Sequence, residues 1–139
     1  MPKIGEVVLN PDDTIGGAEQ TVTFKPVRVT DGLVTFQDRS NPIQIAQTTL
    51  TISSVPPSKT SRNNKVRIRL VYPKIAVPTT STSGFTPAPQ KIGSLVADIT
   101  FLVPDTSTDE ERAGLLALTK RLLTSWAVKE PVQNMEQFY

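Results

Sequence analysis

The sequence predicts an α+β fold in which the strands come first and the helices last. Up to about residue 103, polar and apolar residues alternate in short runs between turns rich in proline and glycine, which is typical of antiparallel strands. After residue 107, leucines recur at helical spacing. With 139 residues the chain has the length of one domain, predicted to span 1–139. This order favours an antiparallel sheet with helices on one face.

The amino-terminal part, residues 4–28, predicts a β-hairpin. The short β-prone run at 6–9 and the alternating run at 20–24 flank a segment that contains Pro11 and the pair Gly16-Gly17. Turn residues between two alternating runs are a strong hairpin signal.

The central part, residues 32–103, predicts the antiparallel sheet. Its strands are predicted at residues 33–36, 48–55, 63–72 and 94–103. Between the last two strands, residues 74–92 are rich in Pro, Thr and Ser and predict a loop long enough to have a role of its own.

The last part, residues 107–138, predicts two helices. Ser107 and Glu110 have the spacing of a capping box with Ser107 as the N-cap. Pro131 predicts the start of a second, short helix that ends near Phe138. The first helix has an apolar stripe that must be covered by another surface, formed by Leu115, Leu118, Leu122 and Trp126.

The charges are distributed unevenly and predict an anionic partner. From Arg39 to Ala97 there are eight basic residues and no acidic one, although the chain has 13 acidic residues in all. A polar strand face often has lysine and arginine only for solubility, but ordinary surfaces mix both signs of charge. One face of the sheet is therefore predicted to bind a polyanion, through Thr49, Thr51, Ser53, Lys65, Arg67, Arg69 and Asp98.

The composition argues against most enzyme classes. The chain has no cysteine and no histidine, which removes the thiolate nucleophile, the commonest general base and the commonest transition-metal ligands. No apolar run approaches the roughly 20 residues of a membrane span, and residues 1–6 have no signal-peptide core. We expect a soluble cytoplasmic protein that is no enzyme, with no catalytic residue, metal, cofactor, small-molecule substrate or membrane partner.

Several segments together indicate a family. They are residues 107–113 (STDEERA) with the leucine-rich helix after them, 62–66 (RNNKV), 97–101 (ADITF), the pair Thr51 and Ser53, and the terminal Tyr139. In these segments the chain resembles the coat proteins of single-stranded RNA bacteriophages (levivirus type), most of all those of phage Q-beta and its relatives. The likeness runs nearly from end to end.

The resemblance implies an N-terminal hairpin, a five-stranded antiparallel sheet and two C-terminal helices. It also implies an interlocked homodimer, in which two sheets join edge to edge and each subunit's helices cover the other's sheet. Such dimers would form an icosahedral shell in the virion, assembled in the bacterial host cytoplasm around genomic single-stranded RNA. A second implied role is translational repression through one RNA hairpin.

The resemblance also implies which residues contact RNA. Asn63, Lys65 and Arg67 match the family's hairpin-binding strand, Thr51 and Ser53 match its adenine-pocket strand, and Asp98 matches an acid in the last strand. The predicted RNA-binding set is Thr49, Thr51, Ser53, Arg62, Asn63, Lys65, Arg67, Arg69 and Asp98.

Two positions depart from the family pattern. Val96 falls where the family has a stacking tyrosine, and the segment 74–92 lacks the cysteines of the Q-beta relatives. Because valine has no aromatic face, we expect modest selectivity for hairpins. The alternative is a cellular single-stranded nucleic-acid-binding module of another β class, such as an OB-like barrel. Such modules usually stack bases on aromatic side chains, and the predicted basic face has none.

Overall fold

The structure is a computed structural model that describes residues 4–9, 14–15, 18–19, 21–76, 84 and 88–137. Its strands are β1 (Val7–Leu9), β2 (Thr14–Ile15), β3 (Ala18–Glu19), β4 (Val22–Thr30), β5 (Leu33–Asp38), β6 (Thr49–Val55), β7 (Asn63–Ala76) and β8 (Gln90–Pro104). A 3₁₀ turn covers Gln44–Ala46, and the helices are α1 (Asp109–Leu123) and α2 (Trp126–Gln133). The predicted α+β order is confirmed.

The sheet contains six strands in the order β1-β4-β5-β6-β7-β8, all antiparallel, while β2 and β3 pair separately. The implied count of five is therefore wrong by one strand. The N-terminal hairpin is present, because Val7–Leu9 pair with Val22–Phe24. Since β4 also pairs with β5, the hairpin and the sheet share a strand and form one continuous sheet.

The two longest strands extend into the segment predicted as a loop. Ile75 pairs with Lys91 and Ala76 with Gln90, so both ends of the segment 74–92 belong to strands. A register shift between Lys74 and Ile75 leaves Ile92 out of the pairing, which then continues to Ala76. The remaining loop residues 77–83 and 85–87 lie outside the described part of the chain.

The interior of the chain is small. In the described part, only Phe24, Phe36 and Leu50 are buried, and Ile68 and Leu70 are among the half-buried residues that pack against them. These side chains lie on one side of the sheet, called here the apolar face. The helices α1 and α2 contact each other, but neither packs extensively on the sheet of its own chain.

The helix boundaries differ from the prediction by short distances. Thr108, and not Ser107, is the N-cap of α1: its hydroxyl accepts from the Glu111 amide at 3.3 Å, and the Glu111 carboxylate accepts from the Thr108 amide at 3.1 Å. The Ser107 hydroxyl instead donates to the Pro104 carbonyl, which closes the turn after β8. A capping box is present, one residue later than predicted.

The second helix begins earlier than predicted. Ser125 is its N-cap with an extended backbone, and α2 starts at Trp126, so Pro131 lies inside the helix. Trp126 thus belongs to α2 and not to the first helix, so the predicted stripe of that helix ends at Leu122. The predicted end near Phe138 lies outside the described residues.

Candidate nucleic-acid interface

The side of the sheet opposite the apolar face is mainly polar and is called here the polar face. Residues that pair across antiparallel strands project on the same side of the sheet. One row runs from Thr35 through Thr51 and Arg69 to Asp98. The next row runs from Leu33 through Ser53 and Arg67 to Thr100. The register thus brings together Thr51, Ser53, Arg67, Arg69 and Asp98, as the alternation predicts.

The remaining predicted residues lie towards the ends of the polar face. Thr49 pairs with Val71 at one end. Asn63 pairs with Pro104 at the other end, where β7 begins. Arg62 precedes β7, and its carbonyl accepts from the Asp105 amide at 3.0 Å. Its side chain is exposed, and it belongs to no row of paired residues.

Arg67 and Asp98 form a two-pronged ion pair across β7 and β8. The Arg67 Nε donates to Asp98 Oδ1 at 3.0 Å, and the Arg67 Nη2 donates to Asp98 Oδ2 at 2.5 Å. The hydrogen bond from Arg67 lowers the pKa of Asp98 below its ordinary value, with smaller charge contributions from Arg67 and Arg69. The same contacts raise the pKa of Arg67. No acidic residue occurs from Arg39 to Ala97 in the sequence, but the fold places Asp98 in contact with Arg67 and opposite Arg69.

Lys65 and Arg69 differ from Arg67 because, among the described residues, neither forms an ion pair. Both side chains are exposed, and neither donates a hydrogen bond to any residue in the described part of the chain. Their charges therefore face solvent, as a contact to a phosphate requires.

Apolar residues border the cations on the polar face. Lys65 pairs with Val55 and with Leu102, both exposed. At the other end of the face Val71 pairs with Val96, which is 50% exposed. Val96 thus lies on the polar face and offers a base an apolar contact without a ring.

Alternation along the sequence misses one cation of this face. Lys25 pairs with Gln37 and Arg28 pairs with Thr35, so both lie on the polar face although their positions differ by three, which is an odd number. A register shift between Pro26 and Arg28 adds one residue and makes this possible. Pro26 is a sequence signal for the shift, because proline lacks the amide hydrogen and occurs in sheets at edges and bulges.

The opposite side of the sheet has a groove of about 620 Å³, with Leu9, Phe24, Leu70 and Tyr72 among its lining residues. In the described ranges, no group of three or more carboxylates is placed to bind a metal ion. No helix in those ranges is long and apolar enough to cross a bilayer. On the polar face, by contrast, charged and hydrogen-bonding side chains from several strands project on the same side of the sheet.

Comparison with known proteins gives consistent findings. A sequence model of the levivirus coat protein family matches residues 2–139. The capsid protein of Qbeta virus (strain MX1) is 28% identical over 139 residues, which cover all of both chains. The capsid protein of Enterobacteria phage SP is 27% identical over the same full lengths. A chain from the virus-like particle of bacteriophage ESE058 has the same fold, with a TM-score of 0.83, 19% identity and coverage of 99% of this chain and all of that one.

Proposed function

Because this chain belongs to the levivirus coat protein family, we propose that it forms an icosahedral shell from homodimers and binds genomic single-stranded RNA on the polar face. The resemblance inferred from the sequence motifs is confirmed by the family match. As a coat protein, the chain is a structural component of a virion. The proposal consists of four statements beyond family membership: the chain forms a homodimer, the dimers form a shell, the polar face contacts RNA, and assembly takes place in the host cytoplasm.

The dimer is supported by the surface that one chain leaves uncovered. The accessible surface is 11217 Å², whereas a folded monomer of 15.2 kDa exposes about 7100 Å². An obligate dimer interface buries about 2000–5000 Å² or more counted over both partners, or about 1000–2500 Å² from each, so the excess of about 4000 Å² on one chain is more than such an interface requires. This surface is the observation on which the dimer depends.

Both α1 and the sheet leave an apolar surface uncovered, so the two surfaces can pack against each other. Leu118 is 66% exposed and Leu122 is 54% exposed on α1, and the apolar face of the sheet has a groove beside Tyr72. Neither helix packs extensively on its own sheet. We therefore assign the apolar face of each subunit to the helices of its partner, where both surfaces lose contact with water.

The edge strand β8 supports the same arrangement. It is 15 residues long, and in the described part of the chain it pairs only with β7. A long unpaired edge tends to associate with another strand. Because α1 follows β8 after the short segment 105–108, joining two β8 edges brings each α1 next to the other subunit's sheet.

RNA binding is supported by the exposed cations of β7. Lys65 and Arg69 form no ion pair within the described ranges, although Asp98 lies opposite Arg69 in the adjacent strand, and phosphate contacts supply most of the affinity for nucleic acid. Thr51 and Ser53 offer hydroxyl groups in the adjacent strand, and such groups can hydrogen-bond to unpaired bases. A repressor role through one RNA hairpin would depend on these hydroxyl groups and on Asp98. Its selectivity would be modest, because Val96 cannot stack on a base.

The cellular nucleic-acid-binding module, the alternative left open by the sequence, does not fit these findings. Five strands follow one another in the sheet as β4-β5-β6-β7-β8, which is an open meander and not a closed barrel. The coat protein family match covers nearly the whole chain.

Expression in bacteria followed by electron microscopy tests the proposal. We expect uniform shells whose ultraviolet spectrum shows packaged RNA. The double variant Lys65→Gln/Arg69→Gln should still form shells but contain less RNA, because two phosphate contacts are lost. Small soluble species without shells would contradict the coat function, and an unchanged RNA content would contradict RNA binding by the polar face.

A further inference from the structure

We propose that Arg28 is a separate phosphate contact, so that single-stranded RNA crosses the polar face from β7 to β4. The inference rests on the RNA binding proposed above and extends it by one residue outside the predicted set. It concerns the row of the polar face that begins at Arg28 and continues through Thr35, Thr51 and Arg69.

The register shift in β4 decides on which side of the sheet Arg28 lies. Counted by strict alternation from Lys25, position 28 would project on the apolar face. The extra residue between Pro26 and Arg28 moves Arg28 to the opposite side and opposite Thr35. Bulges of this kind re-aim a side chain. Without the shift, alternation would place Arg28 on the apolar face; with it, β4 contributes this cation to the polar face.

The guanidinium group of Arg28 is available for a ligand. Its side chain is exposed, and it forms no ion pair or side-chain hydrogen bond with the residues that the structure describes. Two other cations of the face are partly neutralised: Asp98 binds Arg67, and Glu6 lies 3.9 Å from the ammonium of Lys25. Arg28 therefore resembles Arg69 more than it resembles its neighbour Lys25.

The spacing indicates two separate phosphate contacts. Arg28 and Arg69 lie in one row with β5 and β6 between them, which is three strand spacings of about 4.8 Å, or about 14 Å. Side chains stand roughly perpendicular to a sheet, so the two guanidinium groups stay apart. Thr35 and Thr51 fill the row between them with hydroxyl groups and no carboxylate. A single strand of RNA laid along this row meets a cation at each end.

A competing interpretation gives Arg28 a different role. The second half of β4 has no strand on its outer side in the described part of the chain, and charged side chains on an edge strand discourage pairing with other molecules. In that case Arg28 would affect aggregation and leave RNA binding unchanged. The two roles are separated by measuring RNA affinity directly.

The test compares Arg28→Gln with Arg69→Gln and with Lys74→Gln, using the soluble dimer and a fluorescent 20-nucleotide oligouridylate. Lys74 is a matched control, because it is exposed and pairs with Gly93 on the apolar side of the same strand as Arg69. Each lost phosphate contact lowers the salt slope by about 0.7 for single-stranded nucleic acid, which corresponds to roughly a fivefold loss of affinity at 0.1 M salt. We expect this loss for Arg28→Gln and for Arg69→Gln, additive in the double variant, and partial rescue by Arg28→Lys.

The outcomes distinguish the inference from the proposal on which it rests. If Arg69→Gln weakens binding and Arg28→Gln behaves like Lys74→Gln, the role of Arg28 is wrong and RNA binding by the polar face stands. If neither arginine variant differs from Lys74→Gln, RNA binding by the polar face is itself wrong. If the losses of the double variant are not additive, the two arginines share one phosphate and the crossing path is wrong. A thermal melt of each variant identifies any loss caused by unfolding.

Discussion

At the scale of single residues, Asp98 reduces the number of β7 cations that are free to bind RNA. Its carboxylate binds Arg67 and lies in the same row as Arg69, so one of the three alternating cations is already neutralised in the free protein. An RNA phosphate must compete with Asp98 for Arg67, which Asp98 binds directly, while Lys65 forms no ion pair among the described residues and Arg69 interacts with Asp98 only through its charge. The affinity for RNA should therefore depend more on these two than on Arg67.

The titration of Asp98 tests this pairing. The pKa of Asp98 is lowered by Arg67, so the pair contributes stability above the ordinary carboxyl pKa of about 3.9 and loses it as the pH falls through the lowered value. Arg67→Gln should raise the pKa of Asp98 towards the ordinary value, and Arg69→Gln should raise it less. Carboxyl carbon NMR over a pH series measures both shifts. Equal shifts in the two variants would contradict the geometry.

At the scale of elements, alternation predicts which side of the sheet a residue faces wherever the pairing is regular. Lys65, Arg67 and Arg69 lie on one face as expected because β7 is regular through that stretch. Arg28 was missed because strict alternation does not allow for a bulge; Pro26 indicates a bulge, but its position depends on how β4 pairs with β5. The diagonal bond between Arg67 and Asp98 was missed for a similar reason, since it joins residues 31 positions apart.

At the start of α1 the local sequence also leaves the structure partly undetermined, here between positions one residue apart. The segment STDEE contains two overlapping capping boxes, one from Ser107 to Glu110 and one from Thr108 to Glu111. The structure selects the second: Ser107 lies in the turn after β8, where its amide and its hydroxyl both donate to the Pro104 carbonyl, and Thr108 caps the helix. The local sequence therefore predicts the motif but not its position.

Thr108→Ala should accordingly destabilise the protein by about 1 kcal/mol, since the Glu111 amide loses its acceptor. Thr108→Ser, which keeps the hydroxyl group, should cost much less. Chemical denaturation of the two variants beside the parent protein measures the difference. A larger effect for Glu110→Ala than for Thr108→Ala would favour the earlier capping box instead.

At the scale of the whole molecule, the proposed dimer depends on the leucine stripe. Leu118→Asp should abolish soluble dimers, because an unpaired carboxylate would be buried against the partner's sheet. Ala117→Asp is the matched control, because it also replaces a neutral residue by an acid at an exposed position of α1 but lies outside the stripe. Light scattering gives the molar mass of both variants. A folded, monomeric Leu118→Asp protein would contradict the interlocked arrangement.

The small interior of the single chain also has a consequence for when it can fold. With Phe24, Phe36 and Leu50 as the buried side chains of the described residues, a lone chain has little apolar burial to offset the loss of chain entropy. Under the proposed dimer, most of the stabilising burial forms only when two copies meet, so stability depends on protomer concentration. Newly made chains would then fold slowly while they are scarce and rapidly once they accumulate. The rate of translation would thereby set the time at which shells first appear in an infected cell.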